Sequence, residues 1–402
     1  MSFDKTKISI KEAKKILKSI YNLEGEITSL NGEIDFNFKI ISNKSKKYLL
    51  KVSRPNYEQE YIDYQIDLLE YLNKSSKIEV PKIIYTKNNK KSSSFQDING
   101  ENRSVRLMSW IEGRLWSSTN PIKKSLRYEL GFLSSQLTKS MKDFDHPYAR
   151  RTIKWDISKS LWVENHLDTF DSKKAQVLKK FIQDFKNNLL LYEKLEKSVI
   201  HNDINDNNII VTHDFLNPEV KSVIDFGDSV YSQTINDLAI TCSYGIMNHN
   251  DPLLGSIDIV KGYNENRKIK DEELKLLYNL IAMRLVISVT ISSINRNKEP
   301  NNKYLFVSEK SAWNLIYKWS EVNSEFAYYS FRKACSIDAH PNKKKLINWA
   351  KKTNFSIKDL LPEINKSKFY SLDLSVGSKW LGNKSEIEDL DVFQFKIDQL
   401  QK

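Results

Sequence analysis

The sequence predicts an α+β fold in which a small antiparallel sheet precedes a mostly helical body. Three observations carry this. Strand-like runs fall early, at 27–41 and 46–52. Helical periodicity dominates from Glu272 onward, over 274–294, 308–319 and 324–335. Between them, the apolar runs Val199-Ile200 and Ile209-Ile210-Val211 enclose a polar centre, His201 to Asn208, which reads as a loop at the edge of β-structure.

Each element has its own signal. Residues 8–21 open with Ser9 as a cap, and Ala13, Ile16, Leu17 and Ile20 recur at helical spacing. The two strands at 27–41 and 46–52 follow, with a turn over 30–37 that holds one glycine, Gly32. Lys51 lies inside the otherwise apolar run Tyr48 to Val52; a buried lysine there demands a partner, and the alternative is the solvent face of an edge strand. A helix over 57–72 carries Ile62, Ile66, Leu69 and Leu72 on one face. Strands at 82–86 and 104–110 flank the polar stretch 87–94, an exposed hairpin loop. Residues 107–113 pass from strand to turn, and Leu126, Leu130, Leu133 and Leu137 mark a core helix over 125–137. Helices over 157–167 and 174–195 lead to the polar loop, with Trp155 and Trp162 reading as core tryptophans. His146, His213 and His249 have no partners at metal or triad spacing and read as surface or structural. A linker-like cluster at 340–345 and a short helix over 345–352 begin a change of character.

Composition excludes several classes. A chain of 402 residues, 40% hydrophobic and 28% charged, has enough apolar surface to fold. The net charge of +12 comes from lysines scattered among Asn and Ile, so a basic surface needs neither nucleic acid nor membrane to explain it. Cys242 and Cys335 alone make no disulfide framework and no zinc site. Met1 to Lys5 lacks the apolar stretch of a signal peptide, and the apolar run 280–291 is short and interrupted by Arg284. A cytoplasmic protein is the expectation.

The polar loop carries chemistry. His201, Asp203 and Asn208 have the spacing of a kinase catalytic loop, with Asn202 in place of its arginine, and Asp225-Phe226-Gly227 supplies the matching second half. Phosphoryl transfer needs a carboxylate to take the acceptor's proton and separate oxygen ligands for the magnesium on the phosphates. Asp203 is the candidate base, and Asn208 and Asp225 are the candidate metal ligands. A calcium loop would also place oxygens at Asp203, Asn205 and Asn207. It would want glycine and glutamate, however, where Asn208 and Asp214 stand. A mere solvated turn would not require a matched Asp-Phe-Gly. Asp228, one step beyond that motif with Ser229, Val230 and Tyr231, faces the acceptor side.

His-Asn-Asp, an asparagine five residues after the aspartate, and Ile-Asp-Phe-Gly-Asp together resemble the aminoglycoside phosphotransferase and choline kinase family. The likeness is closest to its hydroxylysine kinase-like phosphotransferases, with similar runs at 225–240 and 284–313, and it covers most of residues 25–335. It implies a bilobal protein-kinase-like fold: an N-terminal nucleotide-binding lobe over 1–108, a catalytic and acceptor-binding lobe over 109–336, and a C-terminal extension over 337–402. ATP and Mg2+ follow from the same likeness. It places Lys51 on the nucleotide phosphates under the 30–37 turn, and backbone near Ser109 and Ile111 against the adenine. Many family members carry glutamate where Gln65 stands here, so Glu60 or Asp63 is expected to replace it beside Lys51. Trp155, Asp156 and Trp162 would wall a cationic acceptor together with Asp228 and Tyr231, and Asp237 would brace the loop beneath His201. The acceptor so implied is a small amino alcohol or hydroxylated amino acid; aminoglycosides, choline, ethanolamine and homoserine are the alternatives. A protein kinase fits less well, because the turn has one glycine and no Ala-Pro-Glu motif follows Gly227. A silent scaffold module would normally have lost the base or a metal ligand, and this chain keeps both. Residues 369–378 resemble a passage in larger bacterial polypeptides that continue into a pyridoxal-phosphate aminotransferase domain, which suggests a functional link to such an enzyme.

Overall fold

Alternation along the early strands builds the first layer, as in Phe36–Ser42, where Phe36, Phe38 and Ile40 are buried and the residues between them half-buried. In the computed structural model, which describes residues 7–32, 34–298 and 309–342, this layer is one antiparallel sheet. Its strands are β1 (Gly25–Leu30), β2 (Phe36–Ser42), β3 (Lys47–Val52), β4 (Ile83–Ile84), β5 (Ser93–Gln96) and β6 (Asn102–Ser109). The order is β1-β2-β3-β6-β4, with β5 also paired to β6. Ser9 and Glu12 close a capping box at the start of α1 (Ile10–Ile16), which runs on as a π turn, Leu17–Tyr21. Ala13, Ile16 and Leu17 pack against Phe38, Leu50, Val52 and Leu107, so one face of the sheet has a small core of its own.

The opposite face meets α2 (Gln59–Ser75). Tyr61, Ile62, Ile66 and Leu69 of this helix belong to a different and much larger core, shared with everything that follows in the chain. That region contains α3 (Lys124–Met141), α4 (Ser172–Asn187), α5 (Leu189–Tyr192), α6 (Asn236–Gly245), α7 (Pro252–Asn266), α8 (Asp271–Lys298), α9 (Glu309–Ser320) and α10 (Ser324–Ala334). Helices α3 and α7 touch backbone to backbone. A Cβ on Gly131 would sit 1.9 Å from the Ile259 carbonyl oxygen, and one on Gly262 would sit 1.9 Å from that of Tyr128. Buried residues run along all sides of α8 from Glu273 to Ser292, which makes it the central helix of the region.

Two short antiparallel ribbons frame the site. One has β9 (Ile209–Val211) between β7 (Arg114–Leu115) and β10 (Val220–Val223); the other pairs β8 (Lys197–Ile200) with β11 (Val230–Gln233).

The structure departs from the sequence reading in four places. The helix expected over 157–167 is a 3-10 run, Ile157–Thr169, capped by the Asp156 carboxylate. The helix expected over 174–195 breaks at Asn188, whose side chain donates to the Asp184 carbonyl while its backbone leaves helical geometry. The stretch 87–94 is only partly a loop, because Ser93 and Ser94 pair with Val105 and Ser104 as the start of β5. The apolar run 280–291 is part of a 28-residue helix that by length and composition is able to cross a membrane, yet 94% of its apolar window is buried inside the protein. The short helix expected over 345–352, the passage 369–378 and most of the 337–402 extension lie outside the described residues.

Candidate active site

The loop 201–208 leaves β8 and returns as β9, while Asp225 follows β10, so two ribbon ends deliver the two halves of the motif to one place. The Ile224 amide donates to the Asn208 carbonyl (2.9 Å), which ties the halves together. Asp237, at the start of α6, accepts from the amides of His201 (3.1 Å) and Asn202 (2.9 Å) and from the Thr138 hydroxyl (3.2 Å). The loop is thereby braced from below. Burial raises the Asp237 carboxyl to about 6 against these hydrogen bonds. His201 is fully buried with its ring against Phe226, and its Nδ1 accepts from the Asp203 amide (3.2 Å). Burial lowers its imidazole to about 4.

Asp203 is held at both oxygens. Its Oδ2 accepts from the Asn208 side chain (2.7 Å) and the Asn205 side chain (2.9 Å), and its Oδ1 from Arg284 Nη2 (2.7 Å). Burial above all, and then the negative charges of Asp228 and Asp225, push Asp203 above the ordinary carboxylate range, with Arg284 opposing. A carboxylate of raised proton affinity is suited to accept a hydroxyl proton. Arg284 comes from the middle of α8. Its guanidinium also donates to the Trp155 carbonyl (2.9 Å) and lies 4.6 Å from the Trp155 ring centroid and 5.4 Å from that of Tyr244.

Asp225 sits at a left-handed backbone position (φ 64°), with its side chain 45% exposed. Its Oδ1 is 2.9 Å from Lys51 Nζ. Crowding by the protein would raise its carboxyl, but the Lys51 charge and hydrogen bond, with Arg106, bring it below its ordinary value. Asn208 turns its amide nitrogen to Asp203, and Asp225 is close beside it through the Ile224 link. Carboxylate and amide oxygens in this number suit a hard cation that keeps most of its shell for water and phosphate. Asp228 is half-buried. Its carboxyl is raised by burial first and by the Asp225 charge second, with Arg284 and Arg151 opposing.

Several expected roles are corrected by this geometry. Glu60 and Asp63 are exposed on α2, and Asp63 accepts from Gln59 instead, so neither stands beside Lys51. Lys51 lies instead between Asp225 and Asp35, with Asp35 Oδ2 at 3.8 Å. Asp156 is buried and already accepts from the Ser158 amide (2.9 Å) and the Ser232 hydroxyl (2.7 Å), and so pins the 3-10 run to β11. The Trp155 ring is engaged by Arg284, and Lys154 Nζ lies 5.4 Å from the Trp162 ring, so the chain's own cations occupy both tryptophans. Tyr231 is 36% exposed, with Arg150 stacked on it at 4.8 Å. The Ser109 amide donates to the Lys82 carbonyl (2.8 Å) and its hydroxyl accepts from the Lys82 amide (2.9 Å), which commits Ser109 to the sheet; Ile111 beyond it is buried.

Sequence reading overlooked Arg284, Asp35, Arg106 and Arg151. Arg284 had a signal: one charge amid a dozen apolar residues of a helix must be paired if the helix is core. Arg151 had none. It donates to the Gly227 carbonyl (2.7 Å) from among the rings of Tyr61, Tyr64 and Tyr148, joining α2 to the Asp225-Phe226-Gly227 turn.

Comparison with known proteins bears on this geometry. Residues 26–264 match the family described as the phosphotransferase enzyme family. The hydroxylysine kinase of Mus musculus is 23% identical over 332 residues, covering 75% of this chain and 86% of that one. The hydroxylysine kinase of Xenopus laevis is 24% identical over 355 residues, covering 80% and 92%. Among solved structures, an amicoumacin kinase in complex with AMP-PNP and Ca2+ superposes with a TM-score of 0.60 at 16% identity, covering 80% of this chain and 98% of that one. A microcompartment-associated aminopropanol kinase does so at 0.59 and 17%, covering 81% and 99%. At such identities the structural likeness establishes a shared kinase-like fold.

Proposed function

The chain belongs to the phosphotransferase enzyme family and is a small-molecule kinase, and on that premise we propose that it transfers the γ-phosphoryl group of ATP to a hydroxyl of a small amino alcohol or hydroxylated amino acid. The observation that carries the proposal is Asp203: a carboxylate of raised proton affinity, fixed at both oxygens, in the same loop as Asn208, which the Ile224 amide ties to the Asp225 turn. Asp203 takes the proton of the acceptor hydroxyl as its oxygen bonds to the γ-phosphorus and the bond to the ADP oxygen breaks. Lys51 holds the phosphates of the departing nucleotide. Asn208 and Asp225 would hold Mg2+, which supplies charge neutralisation on the phosphate oxygens when bound.

The acceptor class rests on two supports. The curated relatives act on hydroxylysine by name, and one structural neighbour is an aminopropanol kinase. On the chain itself, Asp228 adds a half-buried carboxylate beside the metal ligands that metal binding does not need. An ammonium facing it would form a charge-assisted hydrogen bond. Because Trp155, Trp162 and Asp156 are engaged elsewhere, Asp228 bears this recognition without them.

Mg-ATP turnover across a panel of alcohols tests the reading. Hydroxylysine-like and aminopropanol-like acceptors are expected to outperform glycerol clearly, and Asp228→Asn to raise the KM of the amino acceptor about tenfold while leaving that of ATP within about twofold. Equal turnover of glycerol would refute ammonium recognition. No turnover of any small alcohol would refute the acceptor class.

A further inference from the structure

Antiparallel register places Asn37 of β2 opposite Lys51 of β3, and Lys51 opposite Arg106 of β6. These residues alternate with Phe36, Leu50, Val52, Val105 and Leu107, which fill the small core, so the polar row points the other way, toward α2 and Asp225. Lys51 and Arg106 are both almost completely buried. Two adjacent cations removed from water need a counter-charge.

Asp35, in the bend just before β2, provides it. Its Oδ2 is 2.8 Å from Arg106 Nη2 and 3.8 Å from Lys51 Nζ. Gln65 of α2 reaches the same Arg106 nitrogen, with Oε1 at 3.0 Å, so the helix does approach the cluster but brings a neutral amide. Among the described residues, Asp35 Oδ1 and Arg106 Nη1 are buried without a partner, so the cluster keeps one acceptor and one donor uncommitted. The shorter ion pair of Lys51 is with Asp225, a residue with a second task. Were Asp225 to hold a metal ion, Asp35 would be the carboxylate left to Lys51.

We propose that Asp35 is the positioning counter-ion of the nucleotide site, doing from the sheet what a helix carboxylate would do from α2. The proposal rests on Lys51 meeting the nucleotide, as in the function proposed above. Were Asp225 to hold a metal ion, Asp35 would remain as the carboxylate that keeps Lys51 and Arg106 in place toward the polyphosphate. The lysine is then held within its own sheet, and α2 does not gate it.

Calorimetric titration with ADP in excess Mg2+ tests this, with acceptor KM and thermal melting measured alongside. Asp35→Asn is expected to weaken ADP binding about tenfold or more, as loss of a buried charged partner does, with acceptor KM within about twofold. Gln65→Glu added to Asp35→Asn places a carboxylate on the same Arg106 nitrogen and is expected to recover most of the loss. Glu60→Gln and Asp63→Asn, both at exposed positions, are expected to change ADP affinity by less than about twofold. The proposal is overturned by an Asp35→Asn variant that binds ADP as wild type does, by a folded double variant with no recovery, or by a tenfold loss from either exposed substitution. Failure of the wild-type enzyme to bind ADP at all would instead refute the proposed function.

Discussion

The sheet region and the helical region each hold one functional charge in place by burying its partner, and they do so in opposite ways. In the sheet, register brings Asn37, Lys51 and Arg106 of neighbouring strands together, and the bend just before β2 adds Asp35 to them. The ion pairs are shared, so Lys51 has two carboxylates within 4 Å. In the helical region, Asp203 depends on one cation, Arg284, which reaches it from the middle of a helix 81 residues away in sequence. That cation is fully buried with no second carboxylate in salt-bridge contact among the described residues. A shared arrangement tolerates the loss of a partner when a ligand recruits it. A solitary one fixes geometry and tolerates little.

The sharpest test of the solitary arrangement is its anion. If Asp203 is the base, Asp203→Asn should reduce turnover by about 10²- to 10⁴-fold while ADP binding stays near wild type, with a lower melting temperature because the buried Arg284 loses its one carboxylate. Near-normal turnover would assign the base elsewhere. Next in size is its cation. Arg284→Met leaves Asp203 buried beside Asp228 without a counter-charge, and breaking such a pair is expected to cost about 3–5 kcal/mol in urea unfolding. A loss below about 1 kcal/mol, the range of exposed pairs, would show that the two regions do not differ in this respect.

The smallest effect concerns acid. His201 beneath the loop is pushed down to about 4 by burial, against an ordinary value of 6.5. Its folded value is below its unfolded one, so its contribution is complete above about pH 6.5 and is lost as pH falls toward 4. Asp237, raised to about 6, works the other way and gains stability as pH falls through 6. Comparing wild type with His201→Gln therefore isolates the histidine. Between pH 7.5 and 5 the wild type should lose about 2 kcal/mol more than the variant, measured by denaturant titration at each pH. Parallel profiles would mean that the ring is hydrated in solution.

Legibility in the sequence follows the same division. The strands around Lys51 and the loop from His201 to Asn208 are local patterns, readable from alternation and spacing, and the structure has them where the pattern puts them. The partner of Lys51 was misread because Glu60 and Asp63 are near in helical spacing whereas Asp35 is near only across strands. Asp156 was misread because an aspartate before a helical run is equally a cap, and here the cap is its role. Arg284 and Arg151 meet their partners through contacts spanning 81 and 76 residues, for which no local pattern exists.

Arg284 stands at the midpoint of α8, a 28-residue helix with a mean hydropathy of 1.7 over its most apolar window. By length and hydropathy alone, such a helix is one that a bilayer could accept. An arginine at a helix centre disfavours insertion by about 2.5–3.5 kcal/mol, offsetting roughly half a dozen leucines or isoleucines. The guanidinium that clamps Asp203 thus also counts against this helix entering a bilayer.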